Sequence, residues 1–548
     1  MQVKAGLRGL KRWMLAPLRR CYRNRVHAVL RGQSRMRTEG RLPLIVQIKH
    51  DISHQSLPAF STRASGYIFH DTLGISELII RQYLMIRVAG VGLHRSILAA
   101  FGGARGIHVL PPHILRLLAE KGVPTRQSLS RLVWLGYVVA VWGYGILTIA
   151  RLARHTRPSS ARLSAPKSTA VFVGAVQGNL PSERPLSDRY DLLSWHHRWS
   201  GRSPAIRTLA ASGRLSAPRH SGAPEVVVLS SELVALPDWS KWAQFVLWAL
   251  AAILRSFWDL LRGRWWHALL LADAAKARVT HLTPAEDLAA EYWFSHTGYI
   301  YRPIWTYGAA RKGADLYLYF YSVNNSAILK AGEPDLSIGA WPLMNWTNYV
   351  VWNEVQAAFI REVLPQSAET PHFHVVGDLP FVDGSADLPA IQGKKLALFD
   401  IQPYRLYKHA SQAQVFEYYN SICATAVLRD VAEICAEHDL KMMWKRKREV
   451  SKSTHPHYQK VENDLVERTE TVVSIDPSIS AHRVIAESAI VVSVPFTSTA
   501  LIARNLCKPS CYYDPSGLLA SDDKAAHGIP ILLGRAQLEN WIAEQLSQ

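Results

Sequence analysis

From Leu396 to Gln545, short apolar runs alternate with segments of helical periodicity, and that alternation constrains this chain more than any other feature. Leu396 to Asp400, Leu440 to Trp444, Thr471 to Ile475, Ile490 to Val494 and Ser510 to Asp514 are each too short for a helix. They are apolar nearly throughout, as strands covered on both faces must be. Between the first two, Val415, Phe416, Tyr419, Ile422, Val427, Val431, Ile434 and Cys435 fall on one helical face. Further helices are expected through Val484 and Ile485, over Thr499 to Leu506 and over Ala536 to Gln545. Strand–helix–strand alternation calls for a parallel sheet with helices packed on its faces. The expectation is a Rossmann-like domain over 396–548, with its ligand at the carboxyl ends of the strands.

A less regular version of the same pattern precedes it. Ala170 to Val176, Glu225 to Leu229, Ala277 to Leu282, Leu316 to Val323 and His372 to Val376 read as β-like runs of a second Rossmann-like domain over 166–376. The Pro/Ser/Arg-rich stretches His155 to Thr169 and Trp199 to Pro224 read as loops. Residues 377–395, with Gly377, Asp378, Pro380, Asp383-Gly384 and Pro389, read as the linker between the two domains. Residues 292–352 are densely aromatic, which suits both core packing and stacking on sugar faces.

Charge separates the remaining region. Residues 1–170 carry 27 Lys/Arg against 5 Asp/Glu, whereas 171–548 carry 36 against 38, so the basicity belongs to 1–165. Its first 41 residues interleave twelve cations with Leu7, Leu10, Trp13, Met14, Leu15 and Leu18. That mixture suits an anionic membrane surface, with nucleic acid as the alternative polyanion. No paired zinc-ligand or RNP-type pattern accompanies the charge, so no nucleic-acid partner is expected. The longest apolar run is Leu132 to Ala150, 19 residues flanked by Arg126 and Arg131 before and Arg151, Arg154 and Arg157 after. Cations at both ends give no orientation, which leaves an in-plane or re-entrant segment, a single span and a buried core helix open. Trp239 to Leu261 has the spacing of an amphipathic helix, and Arg262, Arg264, Trp265 and Trp266 follow it. No secretory leader is evident, and the five cysteines form no disulfide or zinc framework. A cytoplasmic protein, peripheral on the inner face of the cytoplasmic membrane, is expected.

Two clusters carry the candidate chemistry. Pro495-Phe496-Thr497-Ser498-Thr499 stands where a buried strand turns into a helix, and hydroxyls with free backbone N–H groups there suit a phosphate or carboxylate or simply cap the helix. Lys445-Arg446-Lys447-Arg448 ends another strand of the same sheet, with His455-Pro456-His457 following. Four adjacent cations at the ligand edge of such a sheet point to phosphate more than to a solvated face.

The run Val491 to Ala500, with Lys508-Pro509-Ser510 and Tyr512-Tyr513-Asp514-Pro515 after it, resembles the bacterial polysaccharide-biosynthesis proteins named for a PFTS motif. Phe399-Asp400-Ile401-Gln402-Pro403, Trp444 to Arg448, Tyr321 to Asn324 and Tyr349 to Asn353 carry the resemblance over roughly 290–520. That family is similar to GT-B glycosyltransferases, which implies an α/β fold of two Rossmann-like domains facing a cleft. It also implies a nucleotide-sugar donor and a glycan or lipid-linked glycan acceptor. In related families a His-Pro pair and a Ser/Thr pair hold the nucleotide. His455 then competes with Lys445, Arg446, Lys447 and Arg448 for one role, while Thr497, Ser498 and Thr499 take the other and Asp400 borders the nucleotide. The base that such enzymes draw from the acceptor side is sought in Glu333, Asp335 or Asp383. No strand-end Asp-x-Asp marks a metal site, so neither metal nor cofactor is expected. The competing readings are a CDP-polyol phosphotransferase or nucleotide-sugar epimerase of the same plan, and a non-catalytic membrane adaptor.

Overall fold

The computed structural model describes residues 22–54, 75–158, 169–200, 208–213, 215–216, 226–323, 341–364, 370–384, 386–411 and 418–548. Seven parallel strands form the first sheet: β1 Thr169–Ala175, β2 Thr208–Gly213, β3 Val226–Leu229, β4 Glu291–Ser295, β5 Asp315–Tyr319, β6 Asn348–Val351 and β7 His372–Val375. They lie in the order β3-β2-β1-β4-β5-β6-β7. Six parallel strands form the second: β8 Lys395–Asp400, β9 Lys441–Arg446, β10 Val472–Ile475, β11 Ile490–Ser493, β12 Ser510–Asp514 and β13 Ile531–Leu533. Their order is β10-β9-β8-β11-β12-β13. Counted from its own first strand, each sheet runs 3-2-1-4-5-6, and the first adds one strand. This is the doubly wound order, and its reversal point lies between β1 and β4 in one sheet and between β8 and β11 in the other. Two Rossmann-like α/β domains are therefore present, as the resemblance implies.

Strand periodicity sets the layers. Along β1, Val171 and Val173 enter one core while Ala170 and Phe172 enter the other. The first core joins that face of the seven-stranded sheet to helices Trp239–Leu261 and Trp266–Leu282 and to the described helices of residues 22–155, including Ile97, Leu115, Leu118 and Val138. The described part of the basic region thus shares a core with the first domain. Helix starts are fixed by side-chain acceptors: Asp238 takes Lys241 N at 2.8 Å, Asn353 takes Gln356 N at 2.9 Å, and Asn420 takes Cys423 N at 2.9 Å.

Three sequence expectations are corrected. Ala277 to Leu282 is the last part of helix Trp266–Leu282, not a strand. Its buried residues Ala274, Ala275, Val279 and Leu282 recur at helical spacing in the first core, and the helix lies so close to helix Gln127–His155 that a Cβ on Gly145 would sit 3.0 Å from Leu271 Cβ. The stretch read as a loop over Trp199 to Pro224 contains β2, whose Leu-Ala-Ala-Ser core has little strand propensity of its own and is buried by its neighbours. The basic loop after β9 contains helix Pro456–Arg468, started by Pro456 and capped by His455.

Candidate active site

The second sheet's reversal point opens a cavity of about 520 Å³. Asp400 closes β8, Lys445 and Arg446 close β9 with Lys447 and Arg448 beyond, and Thr497, Ser498 and Thr499 follow β11; all of them line it. The opposite wall is made by Thr297 after β4, Tyr321 and Ser322 after β5, and Trp352 after β6. Both sheets therefore aim their strand carboxyl ends into one cleft, where doubly wound folds bind ligands. The two walls also touch, since Val323 N donates to Ser498 Oγ at 3.0 Å and Asn353 Nδ2 lies 3.1 Å from His527 Nδ1.

Period-two geometry splits the four consecutive cations. Arg446 stands opposite Asp400 in the β8–β9 register, so both side chains share a face, where Arg446 pairs with Glu462 and Tyr458 donates its hydroxyl to Asp400. Lys445 points to the other face and donates to Pro477 O at 3.1 Å. It is buried, and burial brings its ammonium down from the usual 10.5 to about 8, against the opposing pull of Asp476 and Asp400. Asp400 is buried as well, and burial raises its carboxyl to about 6, opposed by the Tyr458 hydroxyl. Lys447 and Arg448 are exposed at the mouth. The cluster is thus one buried cation, one cation neutralised by a carboxylate, and two cations at the entrance.

After β11, hydroxyls form a chain. Ser493 Oγ lies 2.8 Å from Thr499 Oγ1, which lies 3.1 Å from Thr497 Oγ1, and Thr497 donates onward to Val494 O at 2.9 Å. Ser498 accepts from the opposite domain instead of capping helix Thr499–Asn505.

The remaining expected residues fall elsewhere. His455 lies off the cavity wall; its Nδ1 accepts from His457 N at 3.2 Å and caps helix Pro456–Arg468. Asp383 is buried in the segment between the domains, where it accepts from Ser480 N at 3.2 Å and pairs with Arg483 at 3.3 Å. Gly384 lets that segment approach closely, for a Cβ there would lie 2.6 Å from Ser478 Oγ. Glu333 and Asp335 lie outside the described residues. Within the aromatic tract, Tyr321 and Trp352 reach the cavity, while Tyr292, Trp293, Trp305 and Tyr349 are core.

One pair was not legible in the sequence. His482 lines the cavity, its Nε2 is 2.5 Å from Asp378 Oδ2, and its ring stacks on Tyr190 of the first domain at 5.3 Å. Asp378 also accepts from Asn505 Nδ2 at 2.8 Å. Burial pushes the Asp378 carboxyl up, but the hydrogen bonds from His482 and Asn505 outweigh it and hold the group below its ordinary range.

A family model for polysaccharide biosynthesis PFTS motif proteins matches residues 248–542, more than half of the chain. The chain belongs to this family. The PFTS motif itself is Pro495 to Ser498: Phe496 packs in the second core, Thr497 and Ser498 line the cavity, and Ser498 makes the contact between the two domains. The Tyr-Tyr-Asp-Pro run after it is structural: Asp514 accepts from Tyr418 Oη, Ser516 N, Leu518 N and Leu519 N and so fixes the turn beyond β12. No curated protein sequence matches the chain. Similar solved structures include the wall teichoic acid polymerase TagF, with TM-score 0.38 and 10% identity over 75% of this chain and 90% of that one. A Listeria monocytogenes chain assigned as a UDP-N-acetylglucosamine 2-epimerase has TM-score 0.37 and 9% identity over 70% and 88%. A UDP-glucosyltransferase from Polygonum tinctorium has TM-score 0.33 and 13% identity over 70% and 90%. At these values the likeness decides nothing about substrate, and the fold stands on the two strand orders.

Proposed function

We propose that this PFTS-family protein is a glycosyltransferase that moves a sugar from a nucleotide-activated donor to a lipid-linked or growing bacterial surface polysaccharide. The observation that carries the reading is Lys445: a buried cation at the carboxyl end of a central strand, in a cleft into which both sheets direct their strand ends. A buried ammonium costs stability unless an anion meets it. The donor's phosphate is that anion, with Lys447 and Arg448 drawing it in at the mouth. As the sugar–phosphate bond breaks, negative charge grows on the departing phosphate, and a fixed, desolvated ammonium stabilises it without reorganising. Tyr321 and Trp352, on the facing wall, offer ring surface to the acceptor. The acceptor hydroxyl must lose a proton. With Asp378 accepting from Nε2–H of His482, the ring's lone pair is on Nδ1, which lies 3.5 Å from Ser480 Oγ, so a proton from the acceptor hydroxyl would reach the ring through that hydroxyl.

Metal independence belongs to the proposal, so turnover should survive EDTA. The test is an assay of CMP-, CDP- and UDP-linked sugars side by side, with and without membrane acceptor, read by mass spectrometry. Acceptor-dependent gain of one sugar is the expected result. Gain of a polyol phosphate would identify a phosphotransferase, and donor isomerisation without acceptor an epimerase. If Ser498→Ala and Lys445→Ala variants left polymer production in cells unchanged, the protein would be an adaptor.

A further inference from the structure

Two helices of the first domain leave an apolar face uncovered. Helix Gln127–His155 and helix Trp239–Leu261 lie side by side, joined by Trp142 Nε1 donating to Ser256 Oγ at 2.9 Å, by Trp242 Nε1 donating to Ala153 O at 2.7 Å, and by the Trp142 and Phe257 rings stacked at 5.6 Å. Their inner faces pack on the domain, from Trp134 to Leu152 in one and from Phe245 to Asp259 in the other. Their outer faces present Leu135, Leu147, Leu247, Leu250 and Leu254 at 50%, 58%, 68%, 56% and 70% exposure. An apolar surface of that extent on a soluble domain marks an interaction site.

What covers it is read from its margin. No charged residue interrupts Leu132 to Ala150, while cations stand at both ends, Arg126 and Arg131 on one side and Arg151, Arg154 and Arg157 on the other. In the second helix the exposed Arg255 follows Leu254 and turns its guanidinium to the buried Asp259 at 3.4 Å. Arg262 lies over the half-exposed Trp258 ring at 4.7 Å, and Arg157 lies 5.7 Å from the Trp242 ring. Asp238, the cap of the second helix, is the acidic exception at this margin. Apolar centre, Trp at the border and Arg at the rim match, in order, the acyl zone, the interface and the anionic headgroups of a bilayer.

Both helices are long and apolar enough to cross a membrane. Their packing argues against crossing. The buried stripe from Trp134 to Leu152 is about 27 Å long at 1.5 Å per residue, nearly the whole hydrocarbon thickness. A span would therefore draw helix Trp266–Leu282, with Asp273, Lys276 and Arg278, into the hydrocarbon. We infer that this two-helix face lies flat in one leaflet of an anionic membrane and seats the protein there without crossing. The inference stands independently of the transfer chemistry.

The test uses the full chain. It should co-float with phosphatidylcholine vesicles containing about a third phosphatidylglycerol and far less with pure phosphatidylcholine. Leu135→Glu and Leu254→Glu should each weaken flotation at least about tenfold with unchanged melting temperature. Leu406→Glu and Ile422→Glu, exposed apolar positions off this face, should leave it unchanged. In a background with Cys21→Ser and Cys507→Ser, Arg131→Cys and Arg151→Cys bound to sealed vesicles should both react with an impermeant maleimide added outside. Protection of one of the two would establish a span and overturn the inference. Flotation that persists in both Glu variants, or a wild type that stays in solution as a dimer closed through this face, would overturn it as well.

Discussion

Lys445→Met should make the second domain more stable while abolishing nucleotide binding. Lys445 is 8% exposed, and burial holds its ammonium at about 8 against an ordinary 10.5. Each pKa unit is worth about 1.4 kcal/mol, so keeping the group charged at neutral pH costs the empty protein about 3 kcal/mol. Methionine fills the same space without the charge but leaves the Pro477 carbonyl without its donor, a loss of about 1 kcal/mol. The net gain is about 2 kcal/mol, or about 4–8 °C in melting temperature for a domain of this size. The sign with pH follows from a depressed folded-state pKa. Between about 8 and 10.5 the folded lysine is neutral while the unfolded one still binds a proton, so wild-type stability rises with pH across that window. The variant's advantage should therefore be full below pH 8 and shrink steadily above it. Denaturant unfolding of both proteins from about pH 7 to pH 10 reads this directly. A destabilised Lys445→Met, or an advantage that does not change with pH, would refute the claim that burying the Lys445 charge costs the empty site more than Asp476 and Asp400 return.

Asp400→Asn should stabilise by at most about 3 kcal/mol at pH 7, because burial raises the folded carboxyl from 3.8 to about 6 and the ionised form is penalised. Wild-type stability falls as pH rises through that interval, so the gain should vanish below about pH 4, as unfolding at both pH values would show. Ser498→Ala removes the acceptor for Val323 N and should loosen domain closure by about 1–2 kcal/mol, detected as a larger radius of gyration in X-ray scattering. Asp378→Asn should lower kcat with little change in donor affinity, and should destabilise at neutral pH through the lost His482 and Asn505 bonds. Since the folded carboxyl is held below its ordinary range, that stability difference should fade only as pH falls beneath the range.

The second domain was the readable part. Its strands β8, β9, β11 and β12 are buried on both faces, so each stands out as a continuous apolar run ending at a polar residue, and those ends lead to Asp400, Lys445 and Thr497 to Thr499. In the first domain the same logic faltered. β4, Glu-Tyr-Trp-Phe-Ser, is hidden in an aromatic tract, and β2 owes its strand to its neighbours. Ala277 to Leu282 is short and apolar enough to read as a strand, and its helical identity shows only with the preceding turns, where Leu271, Ala274 and Ala275 continue the stripe of Val279 and Leu282 into the first core. The His482–Asp378 pair was out of reach because 104 positions separate its members, and only the return of the chain between the two domains brings them together. Four cations in a row look like one phosphate clamp, yet strand alternation gives them different partners, Pro477 for Lys445 and, for Arg446, Glu462 on a helix that reads as a loop in the sequence.

The most direct test of the central claim, that the cleft takes a nucleotide-linked phosphate on Lys445, is calorimetric titration of the full chain with CMP, CDP, UDP and GDP at pH 8 in buffers of different ionisation enthalpy. One nucleotide should bind, with proton uptake as phosphate raises the Lys445 pKa, and both binding and uptake should be lost in Lys445→Ala and weakened in Ser498→Ala. Binding that is equally tight in Lys445→Ala, or that takes up no proton, would contradict it.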